Sequence, residues 1–164
     1  MTLSELVAVE VMGYPKPPDM TYQQASKEDG GKASCFQIVR DGWVAYVDWG
    51  NVTKTQLYSE TVEWKPDAEY DTNITDAWRV VEAVKLVYRQ GYCSVTVQRT
   101  AAGNPEYSYE CFICERVYDK ETGWATEKHC VIANATTAPL AICLAALRAR
   151  GVSEDRIEQA RRKA

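Results

Sequence analysis

Cys111-x-x-Cys114, followed by His129-Cys130, supplies in one stretch the thiol and imidazole ligands that a tetrahedral zinc site uses. The residues from Tyr107 to Cys114 read as a β-strand, and on a strand residues three apart point to opposite faces. Both thiols would reach one ion only through a sharp knuckle, and the segment has no glycine to form one. Buried thiols are therefore the expected state, with Cys111, Cys114, His129 and Cys130 as the weak candidate metal set. His129 is the single histidine, the side chain whose ordinary pKa suits proton exchange near neutrality. No orienting carboxylate or oxyanion-hole spacing accompanies a Cys-His pair around it. The acids Glu63, Asp67, Glu69, Asp71 and Asp76 lack the alternation and central glycine of a calcium loop, and a solvated acidic loop is expected. Gly30-Gly31-Lys32 lacks the strand, glycine spacing and hydroxyl residue of a phosphate loop. No catalytic residues and no cofactor are expected, and the reading leans away from an enzyme.

Aromatic residues offer a different chemistry. The chain holds 5 tryptophans and 10 tyrosines, whose flat faces can stack on a base or line a partner interface. Trp43, Trp49, Trp64 and Trp124, together with Lys54 and Lys65, are the candidate ligand-binding residues: an aromatic and basic pocket suits an anionic, nucleotide-like ligand. The competing reading is that these rings fill the core and edge of a small sheet.

Such residues need a scaffold, and the bulk properties allow one. At 164 residues, 46% hydrophobic and 26% charged, the chain is expected to fold as a single domain over residues 1–164. The net charge of −4 and a pI of about 5.1 give no electrostatic reason to bind duplex nucleic acid. No apolar run approaches the roughly 20 residues that span a bilayer, and the start lacks the pattern of a signal peptide, so no membrane partner and a cytoplasmic location are expected. In that setting the six cysteines read mostly as buried thiols rather than a disulfide framework.

Thr2-Leu3-Ser4-Glu5 is a capping box that should open a helix, and Gly13 before Pro15 should close it. Residues 14–34 read as a long flexible loop. Asp41-Gly42 between two β-rich runs predicts a hairpin, Cys35 to Trp49. Further strand character falls at Gln56 to Tyr58 and Thr61 to Trp64. Ile74, Ala77, Trp78, Val81, Val84 and Tyr88 then form a helical stripe expected to face a sheet. Three more β-rich segments, with turns at 102–105 and at Thr122-Gly123, suit an antiparallel meander. Thr136 or Thr137 should cap a helix buried along Leu140, Cys143, Leu144 and Leu147, and Ser153 a final polar helix. The order predicts an α+β fold: an antiparallel β-sheet with amphipathic helices packed on it, an α/β/α-type sandwich.

Trp64-Lys65-Pro66, then Asp76-Ala77-Trp78-x-Val80-Val81-Glu82, then Ala138 to Leu147, resemble the phage ABA sandwich family in that order. The similarity runs from the Leu6 to Glu10 helix to Gly151. It departs at Asp67 to Thr72, where the family carries Ser-Thr-Asp directly after the proline. The resemblance implies a sandwich fold, a phage or prophage origin, and no established enzymatic activity or catalytic residues. A non-enzymatic phage accessory protein is the expectation, acting in counter-defence by sequestering a nucleotide-derived host immune signal. The alternatives are an inhibitor or adaptor that contacts a host defence protein, with a homo-oligomer as the expected assembly, and a metal-dependent nucleotide hydrolase.

Overall fold

The computed structural model describes residues 1–29, 35–48, 60–87, 93–100 and 108–163. The expected features at 30–32, 56–58 and 102–105, and Trp49, Lys54 and Tyr88, lie outside the described residues. The protein is α+β, with two three-stranded antiparallel sheets and two compact units, Tyr14–Asp67 and Met1–Gly13 with Ala68–Ala164.

Helix α1 (Leu3–Glu10) belongs to the other unit; in the unit Tyr14–Asp67 the elements are α2 (Tyr22–Asp29), β1 (Cys35–Arg40), β2 (Trp43–Asp48) and β3 (Trp64–Pro66), the strands paired in the order β1-β2-β3. The hairpin forms where Asp41-Gly42 predicts it: φ is 41° at Asp41 and 79° at Gly42, the two positive angles that a tight primed turn requires. Helix α2 occupies part of the segment expected as loop. Its cause is a second capping box, in which the Thr21 backbone N–H donates to Gln24 Oε1 at 2.8 Å and the Gln24 N–H donates to Thr21 Oγ1 at 3.3 Å. Trp43, Ala45 and Val47 alternate along β2 into the core, where Met20, Ala25, Val62 and Trp64 join them.

The other unit contains α1 (Leu3–Glu10), α3 (Ile74–Val87), the meander β4 (Cys93–Arg99), β5 (Tyr109–Tyr118) and β6 (Ala125–Ala135), then α4 (Ala138–Ala149) and α5 (Glu154–Arg161). Both halves of the first capping box form, Thr2 N–H to Glu5 Oε2 at 2.6 Å and Glu5 N–H to Thr2 Oγ1 at 3.3 Å. Thr137 is the residue that caps α4, accepting from Leu140 N–H, and Gly151 at φ 76° ends it. Helix α4 packs on β5 and β6 and also against α1, α3 and α5, so it is enclosed rather than half-buried. Every residue from Ala141 to Leu147 is buried, which small alanines permit by letting neighbours approach closely.

Helix α3 corrects the expected stripe. Ala77, Val80, Val81 and Val84 are buried, whereas Ile74 and Trp78 are 45% and 48% exposed. Trp78 sits roughly 100° around the helix from Ala77, on the shoulder of the apolar arc, and the narrow arc is filled by the smaller side chains.

Candidate functional site

The β5–β6 hairpin runs past the part that α4 covers. Near its base, Cys111, Ile113, Ala133 and Ala135 are buried on one face of the sheet, while Ile132 on the opposite face is exposed. Beyond Val117 the cover ends: every residue from Tyr118 to Cys130 is exposed, including Trp124 at 76%. The tip is nevertheless ordered by its own backbone. Asp119 and Trp124 are bonded across the turn, N–H to carbonyl at 3.0 Å, and the Asp119 carboxylate accepts the backbone N–H groups of Glu121 and Thr122. Those bonds stabilise its charged form and lower its pKa.

Halfway along the arm the pairing slips by one residue. Ile113 pairs with Val131, but Glu115 pairs with Lys128, leaving an extra residue in β6. His129, with φ at 50°, is that residue in a β-bulge. Beside it Cys114 of β5 and Cys130 of β6 are joined by a disulfide. This corrects the expectation of thiols at both positions. Of the weak metal set, Cys114 and Cys130 are brought together. Cys111 lies on the opposite face of β5, as the strand period requires, and His129 stands outside the cluster of donor atoms formed by Cys114, Cys130 and Glu127.

The remaining thiols divide by burial. Cys111 and Cys143 are buried, Cys93 is half-buried and Cys35 is exposed, so the expectation of buried cysteines fails at Cys35 and Cys130. Burial pushes the Cys111 thiol up to about 12, with Cys93 adding to the effect, and drives Cys143 well above its ordinary value. The Cys143 S–H donates to the Tyr70 carbonyl at 3.2 Å. These two thiols stay protonated and inert at neutral pH. Under non-reducing conditions at pH 8, iodoacetamide should label Cys35 rapidly and Cys111 and Cys143 only after unfolding. Peptide mass spectrometry checks this, and native labelling of Cys143 would contradict it.

Of the candidate ligand-binding residues, Trp43, Trp64, Lys65 and Trp124 fall among the described residues. Trp43 and Trp64 are 0% and 2% exposed. Trp43 donates its Nε1–H to the Tyr14 carbonyl at 3.1 Å, and Trp64 donates to the Pro18 carbonyl at 3.2 Å. Their rings are also covered, by Lys16 Nζ at 5.6 Å from the Trp43 centroid and the Arg40 guanidinium at 5.7 Å from that of Trp64. Lys65 is exposed and paired with Glu63 at 3.4 Å. Trp124 belongs to the other unit, at the tip of the arm.

The acidic residues are engaged locally. Asp71 accepts from the Ser4 hydroxyl at 2.6 Å, Asp76 from the Glu69 backbone N–H at 3.1 Å, and Glu69 from the Thr72 hydroxyl at 3.2 Å. A cavity of about 170 Å³ lined by Met1, Leu6, Arg156, Gln159, Ala160 and Lys163 is smaller than the ~300–1,000 Å³ of ordinary ligand sites. No helix among the described residues is long and apolar enough to cross a membrane.

These features define a small α+β protein built on antiparallel meanders and an enclosed alanine-rich helix. The chain belongs to the phage ABA sandwich domain family, whose profile matches residues 5–147. It is similar to a crystallised phage protein from Bacillus cereus, at 20% identity over 92% of this chain and 86% of that one, with a TM-score of 0.46. No curated protein matches it.

Proposed function

We propose that this phage protein is a non-enzymatic accessory factor that acts by binding a host protein through the end of its β5–β6 arm. The observation that carries this reading is the combination of Trp124, 76% exposed, with Tyr118, 47% exposed, on one exposed hairpin end. A two-stranded hairpin is at best marginally stable alone in water, and tryptophan and tyrosine dominate binding energy where they become buried. The adaptor or inhibitor reading is therefore preferred to sequestration of a nucleotide-derived immune signal. Two of the rings named for stacking, Trp43 and Trp64, already serve the core, which leaves Trp124 as the open ring among the described candidates.

The test places a photo-crosslinking amino acid at position 124 in the infected host. A discrete host protein is the expected adduct. Trp124→Ala should weaken binding to that purified protein by tenfold or more, by analogy with interface tryptophans worth about 2 kcal/mol or more, while changing folding stability by less than about 0.5 kcal/mol. Intact nucleotide released in near-stoichiometric amount on heat denaturation would instead establish sequestration. Metal-dependent loss of a nucleotide would establish the hydrolase.

A further inference from the structure

The bulge that inserts His129 also changes which side chain of β6 shares a face with Cys130. In an unbroken strand that neighbour would be Lys128; with one residue looped out it is Glu127. Cys114 Sγ, Cys130 Sγ and a Glu127 carboxylate oxygen lie within 4.8 Å of one another. The carboxylate is aimed from two sides. Ser94, paired with Cys114 across β4 and β5, donates its hydroxyl to Glu127 Oε1 at 2.9 Å, and Arg116 Nε stands 3.6 Å from the same oxygen. Two sulfurs and one oriented carboxylate, drawn from adjacent strands, form a ligand set for a borderline-soft divalent cation, with partners that orient the carboxylate already in place.

We propose that reduction of the Cys114–Cys130 disulfide opens a zinc-class metal site formed by Cys114, Cys130 and Glu127. A dithiol reductant supplies two electrons and two protons; the S–S bond breaks, two thiols form, and the reductant closes its own disulfide. The cation then displaces both thiol protons to solvent and forms two metal–sulfur bonds and one metal–oxygen bond. On a tetrahedral zinc ion two thiolate sulfurs stand roughly 3.8 Å apart, a separation that rotation of the exposed Cys130 side chain can supply. Because Cys130 and Glu127 are exposed, the fourth position faces solvent and accepts water or an exogenous donor. The disulfide and the metal compete for the same two sulfurs, so the oxidised and metal-bound states exclude each other.

The test uses the full chain, reduced with a phosphine under nitrogen, freed of reductant, and titrated with Co²⁺ and then Zn²⁺. One equivalent of zinc and a thiolate-to-cobalt charge-transfer band in the near ultraviolet are expected, with neither in the oxidised protein. Cys130→Ser should abolish both, and Glu127→Gln should weaken zinc binding by about tenfold or more. Cys35→Ser, which removes the other exposed thiol, should change neither. Both Cys130 and Glu127 are surface positions, so circular dichroism should show native variants. Reduced wild type that binds no more zinc than Cys130→Ser, or a charge-transfer band that survives Cys130→Ser, overturns the proposal.

Discussion

Trp43→Ala is expected to destabilise the unit Tyr14–Asp67 by about 3–5 kcal/mol, the usual cost of removing a large buried ring from a packed core. Trp43 has no exposed surface, opens the central strand of its sheet beside the hairpin turn, and fixes the segment before α2 through its bond to the Tyr14 carbonyl. Trp43→Phe separates the two contributions. It keeps most of the apolar contact and removes the donor, so a loss of about 1–3 kcal/mol is expected from the unpaired carbonyl and the smaller ring. Denaturant unfolding of the three proteins measures this, with a lowered midpoint as the expected change. An open stacking platform would behave in the opposite way: alanine at Trp43 would leave the midpoint unchanged and affect only ligand binding. Trp124→Ala is the internal contrast, since its ring lies in solvent and should leave stability nearly intact.

Much of the fold is legible because local chemistry and tertiary packing agree. Asp41-Gly42 makes its hairpin since both residues tolerate positive φ, and Thr2 and Thr137 make their caps since each hydroxyl has an unsatisfied backbone N–H beside it. Helix α2 carries a similarly local signal in Thr21-x-x-Gln24, obscured by the prolines before it and the glycines after it. What the sequence obscures is partition. Period 3.6 gives the direction of the α3 stripe but not its width, so Trp78 and Ala77 look equally core-facing although only Ala77 is buried. Likewise, tryptophans near lysines satisfy a ligand-pocket pattern whether their rings face solvent or fill a core.

The candidate site shows the same limit in a sharper form. The turn at Asp119–Trp124 sets a register in which Tyr118 pairs with Ala125. Extended without interruption, that register places Cys114 opposite His129 and sends Cys130 to the other face of β6. Cys114 and Cys130 are each eight residues from Thr122, a symmetry that hints at a cross-strand pair, but only the one-residue bulge converts that symmetry into contact. A bulge has no compositional signature at a histidine. The grouping of Cys114, Cys130 and Glu127 is therefore a consequence of tertiary register.

The hairpin turn carries the second large expected effect, because three residues of the unit Tyr14–Asp67 meet there. Gly42 holds φ at 79°, and a Cβ added to it would run into the ring of Tyr14. Its carbonyl also accepts the backbone N–H of Asp67 at 2.9 Å, tying the turn to the end of β3. Gly42→Ala should cost about 2–4 kcal/mol: roughly 1–2 for the left-handed backbone and the rest for displacing the ring. Asp41→Gly at the neighbouring position relieves rather than imposes positive φ and should leave stability within about 1 kcal/mol of wild type. The two large effects should also couple. Moving Tyr14 away from Gly42 shifts the carbonyl that Trp43 bonds, so part of the loss in Trp43→Ala is already incurred in Gly42→Ala. A double-mutant cycle should return an interaction energy of about 0.5–3 kcal/mol, with the double variant less damaged than the sum of the singles. Strict additivity would mean that the Tyr14 ring yields without moving its backbone.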